Sequence, residues 1–313
     1  MAESGSRGRG YSAGPHGMGR VDNVTATESG GSVVRRILLG SQLRRLRESR
    51  GITREAAGYS IRASESKISR MELGRVSFKT RDIEDLLTLY GVTGERERAG
   101  LLGLAKEANV AGWWHSFNGV VPNWFPNYVG LEAAASVIKV FEVQFVHGLL
   151  QTEAYAQAVV TRGMRDPEDR RTEIDSKVEL RLERQKKLVA EHPPRLHAVL
   201  DEGALHRPYG GKDVMRAQLE HLIEMSERPN VTLQVMPFSY GGHTADTGAF
   251  SVLTFPESDL ADIVYTEQLT SALYMDKAEE VAQYTAVMDS LINDCPDPDR
   301  SREIVRRLRD QLY

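Results

Sequence analysis

Two consecutive words, Gly51-Ile52-Thr53-Arg54-Glu55-Ala56-Ala57 and Ala63-Ser64-Glu65-Ser66-Lys67-Ile68-Ser69-Arg70-Met71-Glu72-Leu73-Gly74, decide how the first third of this chain folds. Each reads as a short amphipathic helix with its own start signal. Thr53 and Ser64 are N-cap residues, whose side-chain oxygens can accept a backbone N–H of the first helical turn. Gly74 is a stop signal, because glycine tolerates the left-handed conformation that ends a helix. In the second word Ile68 and Met71 fall on one side, while Glu65, Ser66, Ser69 and Arg70 fall on the other.

Further helices flank this pair. Leu39, Leu43 and Leu46 mark one face of a helix that stops at Gly51. Another opens at Lys79 or Thr80, turns Ile83, Leu86, Leu87 and Tyr90 inward, and ends at Gly91. A last one, from Glu95 to Asn109, buries Leu101, Leu102, Leu104 and Ala105. The expectation is an all-α helix-turn-helix bundle of about five helices over 35–110. Before it, residues 1–34 are rich in Gly and Ser with almost no apolar periodicity, which predicts a disordered tail. Arg7, Arg9 and Arg20 are read there as passengers rather than phosphate contacts.

Charge follows the same division. Net charge is −4, yet residues 35–81 carry thirteen Lys/Arg against four Asp/Glu, which leaves the rest of the chain at −13. A basic module on an acidic body is the layout of a nucleic-acid reader with a separate second part. The single cysteine, Cys295, excludes an intrachain disulfide and a thiolate zinc cluster and is read as an inert thiol. No apolar run reaches the roughly 18–20 residues of a membrane span. A cytoplasmic, nucleoid-associated protein with no membrane contact is expected.

Beyond the bundle, 111–130 holds all three tryptophans, Trp113, Trp114 and Trp124, with Pro122 and Pro126. It reads as a packing seam, with a ligand cage as the other reading. Residues 131–313 then read as a mixed α/β domain. Helices are expected at Leu131–Val146, Thr152–Arg162, Pro167–Glu191, Asp213–Glu227, Asp276–Asn293 and Ser301–Gln311. Strands are expected at Leu196–Asp201, Val231–Pro237, Phe250–Phe255 and Asp262–Glu267. The charged helix 167–191 is either a solvated face or a dimer or partner helix.

If the second word enters the major groove, its first turn meets base edges. Arg70 can grip a guanine edge with two hydrogen bonds, Glu65 can accept from a cytosine amino group or simply favour the helix N-terminus, Ser66 can bond either base or phosphate, and Ser69 is a further base-contact candidate. Arg44, Arg54, Arg62, Ser64, Lys67, Arg75 and Lys79 are the phosphate candidates, which set affinity and salt dependence.

On these residues the segment 39–91 resembles the Xre/Cro-type (lambda-repressor-like) DNA-binding domain. Thr53-Arg54-Glu55 stands at that family's helix-two start, and Ser64-x-Ser66-x-Ile68-Ser69-Arg70-x-Glu72-x-Gly74 matches its recognition helix. Two positions depart from the pattern: Ala57 and Arg62 replace the usual leucine and glycine. An arginine in a turn that needs positive φ would be strained, so a reshaped turn is expected. Farther on, Gly148-Leu149-Leu150-Gln151-Thr152-Glu153-Ala154-Tyr155-Ala156, Arg184-Gln185, Asp201-Glu202, Gln234-Val235-Met236-Pro237-Phe238 and Gly248-Ala249-Phe250 resemble the actinobacterial WhiJ-like regulators, with His147 where a proline is usual. The resemblance implies a sequence-specific, antitoxin-like transcriptional regulator on a double-stranded operator. It also implies a C-terminal domain that binds a small protein encoded nearby. Heads of this type bind two half-sites as dimers, so a homodimer is expected. A small-molecule sensor is the alternative.

An enzymatic second domain is a third reading. Asp201-Glu202 with His206, Gly241-Gly242-His243 with Asp246, and Tyr265 with Glu267 lie at strand ends, where catalytic groups are often found. Glu202 and Arg207 equally suggest a structural ion pair. No phosphate loop, His-Glu-x-x-His, Gly-x-Ser-x-Gly or dinucleotide-binding glycine pattern is present, so no enzyme, cofactor or metal is expected.

Overall fold

A computed structural model describes residues 26–164, 170–245, 248–256 and 260–313. The N-terminal arginines Arg7, Arg9 and Arg20, the start of the 167–191 helix and Asp246 lie outside the described residues. The first helix, α1 (Ala26–Ser49), is followed by α2 (Arg54–Ser60), α3 (Glu65–Glu72), α4 (Thr80–Leu89) and α5 (Glu95–Ala108). Both expected caps form: Thr53 Oγ1 accepts from Ala56 N at 3.1 Å and Ser64 Oγ accepts from Lys67 N at 3.2 Å. Leu39, Leu43, Ala57, Ile68, Met71, Ile83, Leu86, Leu87 and Leu101 close the head's core.

The tail expectation fails over its last nine residues. Residues 26–34 extend α1, and Val33 and Val34 are buried, not in the head's core but in that of the body. One helix therefore serves two cores, with Val33 and Val34 at one end and Leu39 and Leu43 at the other. Composition misled here because two valines among glycines and serines carry no periodic signal, and their partners are about eighty to a hundred residues away. Those partners are in the seam. Trp114 is buried beside Val33, and α6 (Phe125–Ala134) opens with Pro126 in its first turn, where a missing N–H costs nothing. Gly130 on α6 is packed so closely that a Cβ there would meet Val33 Cγ2 at 2.2 Å and Trp114 Cζ2 at 2.8 Å. Trp113 and Trp114 pack into this core, with Trp113 meeting Trp114 and Phe117 edge to face.

The expected helix Leu131–Val146 is a second correction. It ends at Ala134, and Val137–Glu142 is a strand, β1. Val137, Ile138, Val140 and Phe141 are β-branched or aromatic, and β1 is covered on both faces, so its apolar residues run together instead of alternating. The other expected strands form as β2 (Arg195–Asp201), β3 (Val231–Met236), β4 (Phe250–Thr254) and β5 (Ile263–Glu267). A short edge strand, β6 (Ala272–Met275), was not expected, since four residues give too little pattern. The sheet order is β3-β2-β1-β4-β5-β6, parallel through β3, β2 and β1 and antiparallel beyond. Helices α7 (Glu153–Arg162) and α8 (Arg171–Gln185) connect β1 to β2. The short α9 (Glu202–His206) and α10 (Lys212–Met225) connect β2 to β3. Helices α11 (Ala278–Asp294) and α12 (Pro298–Leu312) close the chain. One sheet face is covered by α6, α8, α10 and α12, and the other by α11 through Met288 and Leu291.

Within the covered face lies a buried polar knot. Arg184 on α8 forms a bidentate pair with Glu132 on α6, Nε to Oε1 and Nη2 to Oε2 both at 2.7 Å. The guanidinium also lies over the rings of Phe125 and Tyr128, and Tyr128 Oη is 3.3 Å from His147 Nε2. Burial raises the Glu132 carboxyl, but the charge and hydrogen bonds of Arg184 outweigh it and hold the group below the usual range. Cys295 is buried, and burial with the nearby Asp294 pushes its thiol up to about 12, which keeps it protonated and unreactive.

Candidate nucleic-acid interface

Helix α3 is tied down on one side and open on the other. Ile68 and Met71 are buried. Glu65, Ser66 and Arg70 are exposed and Ser69 is half-buried on the opposite side. Among the described residues Arg70 makes no ion pair, and its Nε donates to Ser66 O at 3.3 Å. The four expected base-contact residues thus share one open surface. The capped N-terminus beside them carries the partial positive charge of a helix start.

The phosphate candidates divide. Arg62 and Lys79 are exposed. Arg44 is bridged to Glu48 one turn on, at 2.9 Å. Lys67 Nζ is held by Asp82 on α4 at 2.5 Å. Arg54 Nε donates to Glu72 Oε2 at 3.0 Å. Arg75 turns to the body: its guanidinium lies 5.9 Å from the ring centre of Tyr274 on β6, and Nη2 donates to Tyr274 O at 3.4 Å. Four of the seven side chains, Arg44, Lys67, Arg54 and Arg75, are therefore also engaged inside the protein.

Glu72 is the residue that sequence reasoning overlooked. Its side chain is 2% exposed and takes Arg47 from α1 and Arg54 from the start of α2. Arg47 also donates to Ile52 O at 2.8 Å, so one carboxylate joins the first three helices. Its partners stand 25 and 18 residues away, beyond any local spacing rule.

The turn between α2 and α3 keeps the backbone that glycine usually supplies. Arg62 has φ 53°, the left-handed region, and is the one non-glycine residue with positive φ among those described. The expected reshaping does not occur; the arginine carries the strain. A left-handed residue costs roughly 1–2 kcal/mol, part of which glycine returns as unfolded-state entropy. Arg62→Gly is therefore expected to stabilise the chain by about 0.5–1 kcal/mol, read as a higher urea midpoint. In DNA titrations it is expected to reduce the salt slope by about one if Arg62 meets a phosphate. An unchanged or lower midpoint contradicts the strain argument.

The strand-end groups of the body have structural partners. Asp201 Oδ1 accepts from Gly203 N at 2.7 Å and caps α9. Glu202 Oε2 accepts from Phe238 N at 2.8 Å, and its Oε1 lies 3.2 Å from His206 Nε2. Arg207 does not pair with Glu202; it donates to the carbonyls of Gly203 and Val143. His243 Nε2 stands 3.9 Å from Asp201 Oδ2.

A capped, open helix beside cationic residues, joined to a separate α/β body, is the arrangement of a helix-turn-helix module, which suggests DNA binding. Residues 38–100 match the family described as Helix-turn-helix domain. Residues 125–307, more than half the chain, match the family described as Domain of unknown function (DUF5753), and the chain belongs to that family. No curated protein and no solved structure matches it. Among the described residues no helix is long and apolar enough to cross a membrane.

Proposed function

We propose that the chain is a sequence-specific transcriptional regulator that binds its operator as a homodimer. The reading head is 35–110, the seam 111–130 and the receiving body 131–313, with α1 shared between them. One observation carries the reading: Glu65, Ser66, Ser69 and Arg70 lie on one open side of a capped helix whose other side is buried. Arg62 and Lys79 are the phosphate contacts least engaged elsewhere, while Ser64, which also caps α3, and Arg44, Arg54, Lys67 and Arg75 share that role with their internal partners. The body receives a signal, in this reading from a small protein partner of antitoxin-like type.

The test is fluorescence anisotropy on the chain's own upstream DNA against scrambled DNA at two salt concentrations. A preference of about 10³ or more that survives the higher salt is expected. Arg70→Ala is expected to cost about 1–3 kcal/mol on the native site and to relax the preference at one base pair. Equal weakening on all sequences would remove Arg70 from the base contacts. A second reading, small-molecule sensing by the body, rests on the groups at the ends of β1 and β5.

A further inference from the structure

The C-terminal end of β1 is where the sheet changes direction. The chain leaves β1 through α7 and α8 to reach β2 on one side, while β4 lies on the other. Open α/β sheets bind ligands at the carboxyl ends of strands at such a point. Val140, Ser251 and Tyr265 form one rung across β1, β4 and β5. Two residues on, β1 ends in Glu142 and β5 in Glu267, and the two-residue period puts both on the same face. Two strand spacings, about 9–10 Å, separate their backbones. Between them the chain carries Ala249, whose side chain is only a methyl group.

Three further groups complete the mouth. Tyr265 Oη donates to Glu267 Oε2 at 3.0 Å, and its ring lies 4.2 Å from that of Tyr128, which makes an aromatic floor. Arg181 stands one turn before Arg184 on α8. Arg184 is neutralised by Glu132, but Arg181 makes no hydrogen bond or ion pair with any described residue, and neither does the Glu142 carboxylate. Burial, then the charge of Glu267, pushes the Glu142 carboxyl up to about 8. Burial, then the charge of Arg184, lowers Arg181 to about 10, while Glu267 pulls the other way. Glu142 and Arg181 are thus half-buried without a hydrogen-bonded or ion-pair partner among the described residues, and the exposed Glu267, held by Tyr265, stands at the rim of the same mouth. Leaving such groups unpaired is costly, and a ligand of matching charges removes the cost.

We propose that this mouth binds a free amino acid or a close analogue, with its ammonium between Glu142 and Glu267 and its carboxylate on Arg181. The ammonium supplies the N–H donors that the acid pair lacks, and a carboxylate is the planar acceptor that a guanidinium fits. Tyr265 fixes one carboxylate in place and thereby the position of the cation. This inference goes beyond the DNA-binding reading and does not depend on it.

The full chain is melted at pH 8 with each of the common amino acids at about 10 mM, and with Mg²⁺ and Ca²⁺ in parallel. At least one amino acid is expected to raise Tm by about 2 °C or more. Its N-acetyl form, which lacks the cation, and its amide, which lacks the carboxylate, should give no shift. Glu142→Gln and Arg181→Gln should retain the wild-type fold, since neither side chain has a partner to lose. Calorimetry with the active amino acid should show each weakening binding by about tenfold or more. The proposal is overturned if no amino acid shifts the melt, if both variants respond like wild type, or if only the divalent cations do. DNA binding enters none of these readouts, so a failed operator titration leaves the result standing, and the reverse also holds.

Discussion

Glu72→Ala is expected to cost the head about 3–5 kcal/mol, the penalty for removing one partner of a buried ion pair. The cost is large because the substitution leaves Arg47 buried with only the exposed carboxylate of Glu48 to meet it. The guanidinium retains Ile52 O and the exposed Glu48, neither of which replaces a buried charge. Arg54→Ala is the control. Arg54 is 36% exposed and can be solvated, so its loss should cost about 1 kcal/mol or less. Hydrogen exchange of the α2 and α3 amides reads the effect where it arises. Because Glu72 joins α1, α2 and α3, affinity for DNA should fall with stability even though Glu72 itself is buried away from the open face. A loss below about 1 kcal/mol would show that hydrophobic contacts alone hold the three helices.

The second large effect belongs to the body. Glu132→Gln removes the charge that Arg184 faces while keeping the shape, and about 3–5 kcal/mol should be lost. Trp113, Trp114 and Trp124 lie in the segment leading into α6, so their fluorescence in urea reports the change. A double variant, Glu132→Leu with Arg184→Met, should recover most of the loss, because a well-packed apolar pair of similar volume replaces the ions. If the double variant is as unstable as the single one, the ion pair has a positioning role that apolar packing cannot supply.

The same knot carries a pH signature. Burial holds His147 down to about 4, so the folded chain refuses a proton that the unfolded chain accepts below about 6.5. The unfolded state then binds more protons, and stability falls as pH drops from about 6.5 to about 4, levelling off beneath. The full drop is of order 3 kcal/mol. His147→Gln should flatten that part of the urea-midpoint profile, and an unchanged slope would place the proton uptake elsewhere.

What the sequence revealed and what it hid follow from distance along the chain. The caps at Thr53 and Ser64, the stops at Gly74 and Gly91, and the inward Ile68 and Met71 are local events, and each was legible. Four of the six strands were legible too, because apolar runs bounded by turns have few other readings. Glu72 read as one more charge on a helix, since nothing nearby shows that two arginines converge on it. Val33 and Val34 looked like tail, because the surface that buries them is built by Trp114 and α6. Strand β1 looked like a continuation of α6, because a strand covered on both faces loses its alternation. Tyr265 and Glu267 stood out as strand-end groups, but Glu142 and Arg181 did not. Only the sheet order brings them to the same mouth.

The contact of Arg75 with Tyr274, together with a helix that runs through both cores, has a consequence for the operator. A reading head on a slack tether can swivel and so accept half-sites at several separations. The 35–110 bundle is held at Arg75, just past α3, and at α1, and its angle follows the body. In the proposed dimer the two heads would therefore act as fixed calipers. A spacer changed by about five base pairs turns one half-site roughly half a helical turn away from its reader. Binding to such DNA would have to break the grip on Arg75 before both heads could dock.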